Sequence, residues 1–339
     1  MIDSIYNRIT ILGESLVALD IRNIVDAEEL ELFTYKTKTN HALKTMKAHC
    51  DSDAFITDCR DKARQKINRA IVNGKIHWNR LPKLITQNTK MRKDVDGLDM
   101  EIFGLSFAPH WISGFNTCNG LSIGCAESCL MFTGMGQKFM IDANGDHTVA
   151  IARIIRTILW FEHRNEFKTR LLHELELKYN LLKSKNIEMG FRPNVFSEVK
   201  FEKLFPEVFT FCENKIPVYD YVKDIKRIKD NPFSSFYNMT FSLSENNALF
   251  ITTALSYGCN IAVVTDIPTT KNPKNRKEYL HSVPEKLTIN GITLRCIDGD
   301  KNDARFMDTK NKFVVLRGKG KTIRKDQTSF MLKVFENNV

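Results

Sequence analysis

From residue 100 onward the chain alternates short runs rich in β-branched and aromatic residues with longer stretches of helical periodicity. This alternation limits the possible fold more than any other feature. EIFGLSF, IEMGFRPN, IPVYDYV, FYNMTFSLS, NIAVVTDI, TLRCIDGD and KFVVLRGKG each read as a strand. Asp146 to Lys185 reads as one or two amphipathic helices, with Ile154, Ile158, Phe161, Leu171 and Leu175 at helical spacing, and FEKLFPEVFTFCE as another. A short helix runs through Ile225, and Ser244 reads as the cap of a helix starting near Glu245. A parallel strand is reached from its neighbour only by a crossover, so strand–helix–strand runs of this length predict parallel βαβ units. Several in series predict an α/β fold with a complete or partial (β/α) barrel-like core; an open doubly wound sheet is the alternative.

Residues 1–97 have a different texture. They read as a helical, basic N-terminal region, with Ile2, Ile5, Ile9 and Leu12 at helical spacing, joined through Asp94–Gly97 to a barrel-like domain over 98–339. The 339 residues carry a formal charge of +10, and the window 60–93 alone supplies it, with eleven Lys or Arg against one acid, Asp61. Positive charge concentrated on one surface attracts polyanions, so nucleic acid is the expected partner, with His77 and Trp78 as stacking groups. A solvated helix face with a linker is the plainer alternative. Smaller basic clusters lie at Lys271, Lys274, Arg276 and Lys277, and at Arg317, Lys319, Lys321, Arg324 and Lys325.

Other classes fall away. No window approaches the roughly 18 apolar residues of a membrane span, and the N-terminus has early acids and no A-x-A site. The chain reads as soluble and intracellular, with reduced cysteines. No glycine-rich dinucleotide or P-loop fingerprint and no G-x-S-x-G elbow is present.

Three of the eight cysteines, Cys118, Cys125 and Cys129, fall within twelve residues of a glycine-rich stretch. Cys125 and Cys129 are spaced to share one helical face, and the preceding loop can bring Cys118 round. Three thiolates can hold three irons of a cubane cluster with the fourth iron open, or zinc with a fourth ligand from elsewhere. His110 and His147 flank the stretch without zinc-finger spacing. An open iron beside a barrel mouth suits reductive cleavage of S-adenosylmethionine, although the usual cysteine spacing of that chemistry is absent.

Polar residues gather where the strands end: Arg192, Asn194, Ser197, Glu198 and Glu202; Tyr219, Asp220 and Lys223; Ser242, Ser244 and Glu245; Asp298, Asp300, Asp303 and Arg305; Lys319 and Lys321. In α/β folds this carboxyl edge is where side chains from several loops converge. A helix cap or turn accounts for single members such as Ser197, Ser244 or Asp298. Asp298, Asp300 and Asp303 also spell a carboxylate set for magnesium, but DGDKND is equally a turn.

Six ordered blocks, TCNGLSIGCAESCLMFTGMG, RPNVFSEVKFE, VYDYVK, FYNMTFSLSEN, IDGDKNDARFMD and VVLRGKGKTIRKD, resemble the bacteriophage gene product 88 family over residues 100 to 335. The family carries Ser-Asp where this chain has Ser197-Glu198, and often an aromatic residue at Leu130. The resemblance implies a phage protein of the host cytoplasm, whose cysteine loop and strand order are similar to radical S-adenosylmethionine-type barrels. It implies Cys118, Cys125 and Cys129 as a metal site and the polar residues as its rim. The leading expectation is an iron–sulfur (4Fe-4S) enzyme, with S-adenosylmethionine as a possible co-substrate, acting on nucleic acid or a nucleotide. Glu198, Glu245 and Asp300 are its candidate catalytic carboxylates. Arg192, Asn194, Ser197 and Ser242 are candidate cofactor contacts. Tyr219, Asp220, Lys223, Asp298, Asp303, Arg305 and Lys319 are candidate substrate contacts. The alternative is a zinc-stabilised, non-catalytic nucleic-acid-binding protein; a third reading makes the basic arm a protein-docking element.

Overall fold

In the computed structural model, the residues described are 27–93, 95, 97–130, 147–271, 278–280, 282–319 and 326–334. The helical reading of Ile2 to Leu12, and the basic residues Lys274, Arg276, Lys277, Lys321, Arg324 and Lys325, lie outside them. Two helices, α1 (Ala27–Ser52) and α2 (Ala54–Ala70), lead into a hairpin of β1 (Ile71–Val72) and β2 (Lys75–Ile76) and then β3 (Ile85–Thr86). There follow β4 (Met100–Leu105), α3 (Ile123–Glu127), α4 (Thr148–Glu162) and α5 (Arg164–Lys183). The alternation continues with β5 (Glu188–Arg192), α6 (Phe201–Leu204), α7 (Pro206–Cys212), β6 (Val218–Val222) and α8 (Ile225–Lys229). Next are β7 (Tyr237–Ser242), α9 (Ile251–Ser256) and β8 (Ile261–Thr265). Two hairpins, β9 (Thr269–Lys271) with β10 (Glu278–Leu280) and β11 (Lys286–Ile289) with β12 (Ile292–Asp298), precede β13 (Phe313–Arg317) and β14 (Met331–Leu332).

Ten strands form one sheet in the order β11-β12-β13-β8-β7-β6-β5-β4-β3, with β14 also on β8. Strands β4 to β8 lie side by side in chain order and pair in parallel, as the alternation predicts. Parallel pairing extends through β13 to β12. A complete barrel is not formed: no pairing joins the two edges among the described residues. Closure requires the first and last strands to pair, and here each edge is taken by a local antiparallel neighbour, β3 on β4 and β11 on β12. The β11–β12 turn is Asn290-Gly291, both with positive φ (48° and 75°), the geometry a two-residue hairpin needs.

Side chains alternate across the sheet. Phe103, Phe191, Val218, Phe241, Ile261 and Phe313 enter the core under the helices. Trp160 of α4 is its hub, within 4.4 to 5.6 Å (ring centroids) of Phe107, Phe167, Phe201 and Phe205. Ile102 and Tyr219 face the other way and pack with Met91, Val95, Val195 and Ala304. The segments around 91–95 and 304 therefore cover the second face.

The N-terminal helices end at Ala70 because Asn73-Gly74, with φ of 50° and 73°, turns the chain into the β1–β2 hairpin. The described residues of 71–97 form turns, short strands and one 3-10 turn (Trp78–Arg80) rather than α-helix, and β3 joins the main sheet. Ser244 caps no helix: its N–H binds Asn247 Oδ1 at 2.8 Å inside a turn, and α9 starts only at Ile251. Among the described residues, no helix is long and apolar enough to cross a membrane.

Candidate functional site at the carboxyl edge of the sheet

The cysteine loop leaves the first parallel strand, β4, and is bound to the exits of three others. Cys118 forms a parallel bridge with Glu198, just beyond β5. Glu198 Oε1 in turn accepts the backbone N–H groups of Lys223 and Asp224, beyond β6, each at 2.7 Å. Glu245, beyond β7, accepts Gly124 N–H and the Ser122 hydroxyl, both at 2.8 Å. Ser122 is the N-cap of α3 and accepts Cys125 N–H at 3.3 Å. Glu198 and Glu245 thus act here as clamps on the loop that carries the cysteines.

Two thiols come together. Cys118 and Cys125 both lie close to the Lys223 ammonium, and both pack against the same small cluster of Leu121 and Ala126. Cys118 Sγ accepts His110 N–H at 3.3 Å, and burial pushes its thiol up to about 12. Burial lowers the lysine, but Cys125, Glu198 and Cys118 together outweigh it and hold Lys223 firmly protonated. Cys129 follows α3 and lies near the Arg153 guanidinium, which stacks 4.2 Å from the Phe196 ring. Among the described residues, no three His, Cys, Asp or Glu side chains gather where a metal ion could be held. The three thiols are therefore not pre-gathered as a three-ligand set.

His110 completes this surrounding. It is 1% exposed, adopts a left-handed backbone (φ 54°), and neither ring nitrogen has a hydrogen-bond partner. Burial, reinforced by Lys223, lowers its pKa to about 3, so the imidazole is neutral.

The other predicted residues fall into separate groups. Asn194 bridges Ser197 (2.8 Å) and Asp220 (2.6 Å), and Asp220 also accepts the Tyr237 hydroxyl at 2.9 Å. Arg227, 3.8 Å from Asp220, is paired through two bonds with Glu202, all fully buried. Ser242 ends β7, and its carbonyl accepts Asn247 Nδ2 at 3.1 Å. On the opposite face, Asp303 gathers Lys90 (2.9 Å), Arg192 (3.1 Å) and Tyr219 (2.7 Å). Arg305 binds Asn302 and Asp308. Beyond β12 and β13, Arg317 takes Asp298 through two bonds (2.7 and 2.9 Å), while Asp300 accepts Arg317 N–H (2.9 Å) and Lys319 (3.1 Å). The three aspartates of DGDKND are thus each neutralised by Arg or Lys, with Asp303 parted from the other two.

Sequence reasoning missed three contributors. Lys90 was hidden in the basic window, where it counted as one more phosphate contact. His110 lacked ligand spacing, and only its burial and unpartnered ring distinguish it. Tyr35, on α1, lies close to Glu198, Asp224 and Lys223 and offered no signal. Within the basic window, Arg60 donates to the Ile112 carbonyl, Arg64 pairs twice with Glu162 at 2.6 Å, and Lys93 donates to the Asp300 carbonyl. Lys66, Arg69, Lys75, Arg80, Lys83 and Arg92 remain exposed.

No curated protein and no solved structure matches the chain significantly. The model of the family described as gene product 88 matches residues 81–333, which is most of the chain, and the chain belongs to that family.

Proposed function

We propose that the protein is an enzyme of the phage-infected cell whose working site is the three-cysteine loop, and that it acts on nucleic acid or a nucleotide. One observation carries the reading: the loop leaves the first of the sequential parallel strands and is clamped to the exits of the next three by Glu198 and Glu245. That edge is where α/β enzymes assemble their sites from several loops. None of the eight cysteines is in a disulfide, which suits a reducing cytoplasm. Lys319, half-exposed and paired with Asp300 beyond β13, supplies positive charge near the strand exits for phosphate, whereas Arg192 is already engaged by Asp303.

An iron–sulfur cluster, with S-adenosylmethionine as co-substrate, is the version that three thiols in one loop support and that the sequential strand order favours by fold analogy. It requires Cys129 to be drawn towards Cys118 and Cys125. A second reading, zinc with a structural role in a nucleic-acid-binding protein, is favoured by His110, whose neutral, unpartnered imidazole faces the same lysine as the two thiols.

The test is the metal and sulfide content of anaerobically purified protein, beside the Cys118→Ser, Cys125→Ser, Cys129→Ser triple variant. Several irons with matching sulfide, lost in the variant, support the cluster enzyme. One zinc, lost in both the triple variant and His110→Ala, moves the cysteines to the structural reading. No metal under either condition removes both versions.

A further inference from the structure

Helix α1 precedes the region matched by the family, yet it lies across the cysteine loop inside that region. Ala42, 2% exposed, packs with Leu121 and Ala126 of the cysteine segment, and Leu43 and Met46 pack on the same cluster as Cys118 and Cys125. Tyr35 meets Phe250 edge-on at 5.4 Å, Asn246 Nδ2 lies 3.5 Å from the Thr39 hydroxyl, and Lys47 sits 5.5 Å from the Trp111 ring. The helix therefore covers the exits of β4, β6 and β7 together.

Its grip is narrow. Between residues 34 and 52 only Thr39, Ala42 and Cys50 are buried, with Tyr35, Leu43 and Met46 half-buried. These positions make one helical stripe, and the rest of the surface is solvated. By contrast, α4 buries nine of its residues. The neighbouring α2 is fixed by Ile56, Cys59, Ala63, Ile67 and Ala70 and by Arg60 bonding the Ile112 carbonyl at 2.8 Å. Between the loosely held and the firmly held helix stands one non-helical residue, Asp53 (φ −85°, ψ 113°). An element with few buried contacts beside a fixed one opens at a lower free energy than the fold as a whole.

From this arrangement we infer that α1 is a lid, hinged at Asp53, which leaves Cys118 and Cys125 only partly exposed and lifts to open the thiol site fully to a ligand. This gives the regulation of access to the site proposed above and rests on that reading for its purpose. Lids of this kind exclude water from a site and govern entry and release. Tyr35, brought by the lid to the neighbourhood of Glu198 and Lys223, then forms a wall of the closed site.

Two measurements on the full-length chain test it. In native-state hydrogen exchange, the amides of residues 34–46 should exchange at least ~100-fold faster than those of α4, through an opening that leaves the sheet protected. Equal protection of α1 and α4 overturns the lid. In chelator-treated protein, Ala42→Glu should raise N-ethylmaleimide labelling of Cys118 and Cys125 about tenfold or more, with Cys212 and Cys259 unchanged. Unchanged labelling at Cys118 and Cys125 also overturns it. Should Ala42→Glu expose Cys212 as well, Leu43→Ala takes its place and the same comparison decides. Labelling reads access alone: a metal-free chain whose thiols are gated loses the cluster and keeps the lid, and a metal-binding chain with ungated thiols does the reverse.

Discussion

Lys90 reaches out of the basic segment to pair with the fully buried carboxylate of Asp303 at 2.9 Å. Arg192 and Tyr219 complete the shell, so one carboxylate ties the segment before β4 to β5, β6 and the loop after β12. Burial raises Asp303, but Lys90, Arg192 and the Tyr219 hydrogen bond together hold it well below the usual carboxylate range. Removing one partner of such a pair leaves charge buried without its full compensation. Lys90→Met should therefore cost about 3 kcal/mol, read as a fall in the urea midpoint. Lys66→Met, at an exposed position of the same segment, should change stability by less than about 0.5 kcal/mol. Equal effects would mean that Lys90 is as solvated as Lys66.

The exposed cations make a separate prediction about partners. If the segment holds nucleic acid, it does so with side chains not already turned inward. Replacing Lys66, Arg69 and Lys75 by Glu should flatten the salt dependence of single-stranded DNA binding, with the log–log slope falling by roughly two to three as counterion release is lost. Thermal stability should hardly move. A slope unchanged in the triple variant would place any binding elsewhere on the chain.

Gly124 is a point of close approach between the cysteine helix and the C-terminal segment. A Cβ there would overlap the Thr328 hydroxyl and Phe330 Cβ, within a turn that Asp326 holds by accepting the Thr328 and Met331 N–H groups at 3.0 and 2.8 Å. That turn feeds β14, which pairs with Val264 and Thr265 of β8. Gly124→Ala should cost about 1–3 kcal/mol through overpacking and release β14 first. Hydrogen exchange at Met331 should accelerate while the β5 and β6 amides keep their protection. Protection retained at Met331 would show that the contact yields without moving the segment.

The central strands were legible because they are buried on both faces or nearly so, and such strands read as short continuous apolar runs, as in IAVVT and FVVLR, whereas β12 at the margin alternates between half-buried and exposed positions. The open edges were harder to see. β3 is two residues long and offers no period, and Lys286–Ile289 reads as a strand only once Asn290-Gly291 is recognised as a hairpin turn. At the candidate site, the sequence pointed to the strand exits and to the thiols, since polar residues after apolar runs mark strand exits. It could not separate clamps from reagents: Glu198 and Glu245 look alike as exit carboxylates, and only their bonds to Lys223 N–H and Gly124 N–H show what they hold. Nor could spacing reveal that Asp303 faces Lys90, 213 positions away in the chain and on the other face of the sheet from Asp220.

Asp220 makes the pH dependence testable. It lies in β6, fully buried, with Arg192 from β5 at 3.9 Å, Arg227 from α8 at 3.8 Å, and Tyr237 from β7 donating to Oδ2 at 2.9 Å. Glu202 of α6 takes two bonds from Arg227, and Asp220 Oδ1 has no hydrogen-bond partner. Burial outweighs both guanidinium groups and raises the acid to about 7. In the unfolded chain an aspartate loses its proton near pH 4. Between those two values the folded state holds a proton that the unfolded state has released, so this residue's contribution to stability is full below about pH 4 and is lost as the pH rises towards 7. The whole effect is at most roughly 4 kcal/mol. Asp220→Asn removes the titration while keeping an acceptor for Asn194 and Tyr237, at a cost that does not vary with pH. The difference in unfolding free energy between wild type and variant, measured from pH 4 to pH 8, should therefore shift progressively in the variant's favour. A difference that stays constant across the range would mean that Asp220 is ionised throughout and that its arginines, rather than its burial, govern it.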